Sequence, residues 1–457
     1  MPDIATLNQA LAATIVAAPG VAFGALGFLW LAGWTPGERA LARVTALAHS
    51  VSLSAVFLLA ILMRASGITE TSLPLGTWFS VGHYDFALAL IADRLSLPMM
   101  ALTALLGGLI GSFSRRYLHR DRGYFRFFLL LHLFTFGALL AFAAGSLDLM
   151  IGGWELVGLT SVLLIAFFND RRSPVQNALR VFATYRISDL GLLIGVFVLH
   201  HAAGTATWGE VFAGVWPNQS SAVGQGIATL AAGLLVLAAM GKSAQVPFSG
   251  WLPRAMEGPT PSSAIFYGAI SVHLGAYLLL RIQPLLDQAP GMRLAVVCIG
   301  AASALHATLS GRAAPDAKTS LAYASMAQVG IIFVEAGFGL EWLALIHTVS
   351  HAAIRTLQFL RAPSMLHDYH RLHAGAGGHL GRTGAHYEAL LPAGFRRWLY
   401  RMALDRGHFD TLLDRFVTGP LIRAAEARAA FEAGVPSTPH PRPGAGRVQP
   451  AARGIDA

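Results

Sequence analysis

The feature that most constrains this chain is a succession of long apolar runs. Each approaches the roughly 20 residues that an α-helix needs to cross about 30 Å of hydrocarbon. They fall near 12–34, 44–63, 93–113, 126–144, 147–168, 179–201, 222–241, 261–282, 294–310, 319–338 and 340–361. The expectation is an all-α polytopic membrane protein with about eleven transmembrane helices. Composition agrees: 54% of residues are hydrophobic and 12% charged, against about 25% charged in soluble domains. The short alternating segments of a β-barrel are absent. The opening MPDIATLNQALAATIVAAPG has no basic stretch before its apolar run, so it reads as a retained first helix rather than a cleaved leader. The single cysteine, Cys298, reads as a small packing residue, with no disulfide framework or cysteine metal site.

The basic residues alternate by side. Arg39 and Arg43 lie in the first connection, Arg115, Arg116, Arg120 and Arg122 in the third, and Arg171 and Arg172 in the fifth. Arg254 lies in the seventh and Arg312 in the ninth, whereas TATWGEVFAGVWPNQSS in an even-numbered connection carries none. The positive-inside rule then puts the N-terminus outside and the C-terminus in the cytoplasm of an inner membrane. The formal charge of +9 is thereby a topology signal, not a nucleic-acid footprint. Between the second and third runs, TSLPLGTWFSVGHYDFALAL alternates like a strand around a glycine turn and predicts a hairpin.

Ionisable groups inside apolar runs cost roughly 2.5–3.5 kcal/mol each on insertion scales and therefore suggest function. Glu155 lies inside the fifth run; it is either a packing carboxyl paired with an arginine or a group that binds a proton. Lys242 ends the seventh run and is followed by Pro247, Gly250 and Pro253, so a broken helix is expected near 241–254. Irregular backbone at membrane depth is tolerated where protein or a water-filled cavity satisfies it, and broken helices are frequent at transporter ion sites. The competing reading of Lys242 is a side chain snorkelling to the surface. Lys318 opens the tenth run, with Ala317 where a P-loop needs glycine, so a nucleotide site is rejected.

His347, His351 and Arg355 recur every fourth residue and share one helix face, which suits a polar proton path. Zinc is disfavoured because the HExxH glutamate and a third ligand are missing. His273 is a weaker candidate, and Arg186 with Asp189 reads equally well as a structural ion pair. His367, His370 and His373 read as interfacial. Beyond Arg361, residues 386–432 place Phe395, Trp398, Leu399 and Met402 at helical spacing with arginines opposite. That pattern is an amphipathic helix for a membrane surface or a partner.

On these residues the chain resembles the antiporter-like proton-translocating subunits of respiratory complex I and Mrp-type Na⁺/H⁺ antiporters, over roughly 90–361. The likeness rests on GGWELVGLTSVLLI, GKSAQVPFSGWLPRAMEGPTPSSA and DAKTSLAYASMAQVG. ALRVFATYRISDLGLL and FRRWLYRMALDRG are similar to the DabB branch, the membrane subunits of DAB inorganic-carbon transporters. The resemblance implies that Glu155, Lys242, Lys318, His347 and His351 stand at the family's proton-translocating positions. The family's helix-eight histidine falls on Tyr267, with His273 six residues on, and its later helix-eleven lysine falls on Arg355. Arginine stays charged, and no second broken helix follows, so a complete second half-channel is not expected.

The DabB likeness implies cation flow, with the proton as first choice, energising CO₂ or bicarbonate uptake. Its expected partner is a DabA-like, zinc-containing cytoplasmic subunit, and the chain itself would carry no cofactor. The alternative is a proton-translocating subunit of a complex I-like or Mrp complex. The expected organisation is two helices and a periplasmic hairpin over 1–92, a translocation core over 93–361, a cytoplasmic tail over 362–435 and a disordered end over 436–457.

Overall fold

In lipid every backbone N–H and C=O needs an internal partner, and helices supply it within one segment. The computed structural model describes residues 4–82, 84–314, 316–362 and 390–420, with positions 375, 423–424, 427–428 and 431. Helices α1 (Ile4–Leu31) and α2 (Glu38–Ala65) lead to an antiparallel hairpin, β1 (Thr71–Val81) and β2 (Tyr84–Ala92). Next come α3 (Ser96–Tyr117), α4 (Tyr124–Phe142), α5 (Leu147–Ile165), α6 (Arg172–Ala203) and a single turn, α7 (Trp208–Val211). A second hairpin, β3 (Phe212–Val215) with β4 (Asn218–Ser221), precedes α8 (Gln225–Lys242). Short pieces follow: α9 (Trp251–Arg254), α10 (Thr260–Ser263), a π-helical stretch Ala264–Ala269, α11 (His273–Arg281) and α12 (Gln283–Gln288). Three long helices, α13 (Pro290–Arg312), α14 (Ala317–Gly337) and α15 (Glu341–Arg361), complete the bundle.

Nine of the described helices are long and apolar enough to cross a membrane. Of the two remaining apolar runs, 340–361 forms α15, where His347, His351 and Arg355 interrupt the apolar sequence. The run at 261–282 is not one helix: it is divided among α10, the π-helical stretch and α11. The break expected near 241–254 thus extends to Val272. All nine residues of α11 are buried, which places it at the centre, against α8, α14 and α15. The outer helices show lipid their apolar sides: Phe28, Leu47, Leu294 and Leu305 are all more than 60% exposed.

The first hairpin matches its expectation. Val81 pairs with Tyr84 across a two-residue loop that Gly82 opens at a φ of +64°. The second hairpin went unread because its strands have only four residues each. A buried ion pair was also missed. Asp93 accepts from the backbone N–H of Ser96 at 2.7 Å, starting α3, and grips Arg281 of α11 at 2.5 Å with both side chains fully buried. Cys298 is exposed on α13, so it is not the packing residue expected. The arc of α13 that carries it faces outward.

The tail also departs from one long helix. Helix α16 (Ala393–Leu404) ends in a kink where Arg406, Gly407 and His408 all have positive φ; α17 (Phe409–Leu413) follows. Helix α16 lies against α13, and α17 against the turn at 248–250. Asp410 is bound by Arg254 at 2.7 Å, while Asp414 pairs with Arg180. Burial works against the Asp410 carboxylate, but Arg254, Arg406 and Arg180 together outweigh it and hold the group below the usual carboxylate range. The histidines at 367, 370 and 373, and the end beyond 436, lie outside the described residues.

Helices α4 and α5 cross at paired glycines. A Cβ on Gly153 would meet the Gly137 carbonyl oxygen at 2.6 Å, whereas one on Gly152 would meet nothing within 4 Å. Replacing Gly153 with Ala is expected to destabilise the purified protein by about 1–3 kcal/mol through overpacking. Gly152→Ala serves as its neighbouring control and leaves thermal unfolding in detergent within error of the wild type.

Candidate functional site

Helix α8 ends at Lys242, and the chain then turns through Ala244, at a φ of 54°, into the broken segment. The break directs the lysine inward. Its side chain is fully buried, so it does not snorkel to the surface. The Nζ atom donates to the Trp154 carbonyl at 3.1 Å and sits 4.8 Å from the Trp154 ring and 4.5 Å from the Tyr185 ring. Gly158 makes the room, since a Cβ there would lie 3.0 Å from Nζ. An aromatic box of this kind holds a cation through ring quadrupoles without fixing it to an acid.

One layer away, Arg186 of α6 joins two carboxylates. It pairs with Glu155 of α5 and with Asp189 at 2.9 Å, three residues along its own helix. Asp189 is nearly buried and also accepts from the Trp154 indole N–H at 2.6 Å. Glu155 is thus paired with an arginine, and the pair lies one residue along α5 from Trp154, which forms part of the lysine's aromatic wall. The Arg186–Asp189 ion pair that the three-residue spacing allowed is present.

A second group lies beyond the break. The hydroxyl of Ser243, next to Lys242, donates to the carbonyl of Val272, next to His273, at 2.6 Å. His273 Nδ1 faces the Ala269 carbonyl at 2.7 Å and must donate there, which leaves Nε2 as an acceptor. His351 Nδ1 lies 2.9 Å from that Nε2 and therefore donates. Arg355 Nε points at His351 Nε2 at a long 3.5 Å. The bonds form one directed chain from Arg355 through His351 and His273 to the Ala269 carbonyl, with both imidazoles neutral.

His347, on the same face of α15, belongs to a different set. Its Nδ1 lies 2.9 Å from Glu335 and its Nε2 lies 3.0 Å from Gln328 Oε1. Glu335 and Gln328 were not singled out in the sequence. They sit seven residues apart in α14, on the face that α15 covers. Lys318 lies at the start of α14, where Asp316 caps the helix through the Thr319 N–H at 2.9 Å. Its Nζ reaches the Gly258 carbonyl at 3.4 Å, inside the broken segment. The structure thus gathers Glu155 with Lys242, and His273 with His351 and Arg355. It sets His347 on Glu335 and joins Lys318 to the middle of the break. Among the described residues no three His, Cys, Asp or Glu side chains form a metal-binding cluster.

Replacing Trp154 with Phe removes one donor from a buried carboxylate. Hydrogen bonds to charged groups are worth about 1.5–3 kcal/mol. The variant is expected to lose that much stability against thermal unfolding in detergent while inserting normally. Unchanged unfolding would show that the indole is not holding Asp189.

Residues 144–376 match the family model described as NADH:quinone oxidoreductase/Mrp antiporter, TM. Residues 78–128 match NADH-ubiquinone oxidoreductase (complex I), chain 5 N-terminus. Subunit L of the NADH-quinone oxidoreductase of Campylobacter jejuni is 36% identical over 292 residues, covering 64% of this chain and 47% of that protein. Its counterpart in Mycobacterium tuberculosis is 38% identical over 296 residues, covering 64% and 46%. The chain spans about half the length of the curated relatives it matches. Among solved structures, the Mrp complex of a Dietzia species aligns with a TM-score of 0.63 at 27% identity, over 76% of this chain and 37% of that one. The archaeal membrane-bound sulfane sulfur reductase shares the fold, with a TM-score of 0.64 at 18% identity over 77% and 70%.

Proposed function

We propose that this chain, which belongs to the NADH:quinone oxidoreductase/Mrp antiporter family of transmembrane subunits, carries protons through the break after Lys242 as one subunit of a larger membrane complex. The observation that carries the reading is the Lys242 side chain. It is fully buried at an interrupted helix and is held by one carbonyl and two aromatic rings rather than by an acid. A structural ion pair would place a carboxylate on the ammonium. Here Glu155 and Asp189 are both engaged by Arg186 instead. In this reading Lys242 loads and releases a proton, and the carboxylates set the local charge. Lys318, His273, His351, His347 and Arg355 form the polar route on the other side of the break.

A second, finer reading makes the chain the cation-conducting subunit that drives inorganic-carbon uptake by a DabA-like partner. Helix α16 supports it, because Phe395 and Trp398 stack at 5.5 Å yet are about half exposed, with Tyr400, among the described residues. The face that carries Phe395 and Trp398 suits a cytoplasmic partner in the orientation expected from the basic residues. The energetics are sufficient. A gradient of about 150 mV supplies roughly 3.5 kcal/mol per charge, and each tenfold accumulation costs about 1.4 kcal/mol. One proton per carbon sustains a ratio of a few hundred.

The test of the first reading compares Lys242→Arg with Lys242→Ala in cells or reconstituted vesicles at matched protein levels. Arginine keeps the charge but cannot release it in practice. Both variants are expected to abolish proton-coupled activity to a similar degree. A fully active arginine variant would leave Lys242 as an electrostatic residue. For the second reading, Phe395→Ala with Trp398→Ala is expected to release a copurifying cytoplasmic subunit into the soluble fraction. A complex that stays intact places docking elsewhere.

A further inference from the structure

Two cavities outside this site meet at the same pair of arginines. The first, about 670 Å³, lies where α2 begins and α3 ends, and is lined by Glu38, Arg39, Arg43, Arg115, Arg116 and His119 with two alanines. The second, about 610 Å³, continues from Arg115 and Arg116 along Leu109, Phe113 and Tyr117 to Leu360 of α15. Glu38, the acid in the cleft, is already engaged by His119 at 2.7 Å and by the Arg120 N–H at 2.9 Å. Among the described residues none of the four arginine side chains has an ion pair or a hydrogen bond. The result is a concentrated positive charge at the helix ends, opening directly onto an apolar slot.

We propose that the cleft and the groove together bind one anionic phospholipid. The four guanidinium groups hold its phosphate, and an acyl chain lies along Leu109, Phe113 and Leu360. Guanidinium forks match phosphate oxygens bidentately, and basic pockets between membrane helices suit anionic headgroups. Arginines that served topology alone would need no groove beside them. Leu109 is 41% exposed at the lipid-facing side of α3, so the slot is open to an acyl chain. A zwitterionic headgroup would bring an ammonium into a cleft that already has four positive charges. Free phosphate would fill the cleft and leave the groove empty.

Occupancy also has a route to the conducting region. Tyr117 in the groove wall bonds through its hydroxyl to Thr260, the first residue of α10, at 3.1 Å. Leu360 sits on α15, five residues from Arg355. A lipid here would bridge the first helices to the interrupted segment, through Tyr117 and Thr260, and to α15, through Leu360.

The test uses the full chain purified from membranes, stripped of lipid and offered phosphatidylglycerol, phosphatidylcholine or inorganic phosphate, with bound species read by native mass spectrometry. Phosphatidylglycerol is expected to be retained at least tenfold better than phosphatidylcholine, and not to be displaced by phosphate. Arg115→Gln with Arg116→Gln should lower that retention at least tenfold. Leu109→Trp fills the groove while leaving every charge in place, so it tests the site even if the arginine variant misassembles; it should lose the lipid as well. Equal retention of both lipids, displacement by phosphate, or a Leu109→Trp protein that keeps its lipid would each overturn the proposal.

Discussion

An interrupted helix in a hydrocarbon layer strands backbone groups that water cannot reach, and each stranded group costs several kcal/mol. The segment from Ser243 to Val272 persists because neighbouring side chains take over the missing bonds. Ser303 Oγ accepts from the Val246 N–H at 2.9 Å, Trp251 donates its indole N–H to the Gly241 carbonyl at 2.9 Å, and Gln245 donates to the Ser243 carbonyl at 2.8 Å. Ser243 ties the two ends together through the Val272 carbonyl, and Lys318 reaches the Gly258 carbonyl in the middle. The surrounding helices are therefore positioned by what the break demands.

The same demand explains why the polar residues cluster. Lys242 enters the interior because α8 stops there, and its partner is a backbone carbonyl of α5, the helix that carries Glu155. His273 opens α11 where the chain resumes regular helix, which sets its ring against His351. Each group of ionisable residues thus flanks one end of the interruption. The arrangement separates a carboxylate–arginine set from a histidine set, with only a serine hydroxyl bond between the adjoining backbones. A proton carried across this distance would require a change in side-chain position or intervening water.

Close helix approach is the second device. Gly137 and Gly153 let α4 and α5 touch, and Gly300 and Gly330 do the same for α13 and α14, where a Cβ on either residue would crowd the partner's carbonyl. Small residues at such crossings allow the van der Waals contact that drives association in lipid. Outside the bundle the tail uses charge instead. Asp410 and Asp414 reach back to Arg254 and Arg180, two arginines that the sequence reading had used only for topology or had not weighed.

Apolar run length and the cost of charge in lipid are local properties, so the sequence alone determined the helical membrane class, the position of most spans, the first hairpin and the break after Lys242. It also singled out Glu155, Lys242, Lys318, His347 and His351, because an ionisable residue in an apolar run stands out without any knowledge of its neighbours. Only the tertiary structure decided who partners whom. Asp93 with Arg281, His273 with His351, Glu335 with His347 and the division of Arg186 between Glu155 and Asp189 join residues far apart or on facing helices. Such pairings depend on how helices rotate and cross, and rotation is set by packing across the whole bundle. The outward placement of Cys298 and the length of the broken segment follow from the same cause, because burial belongs to the assembled helices and not to any one of them.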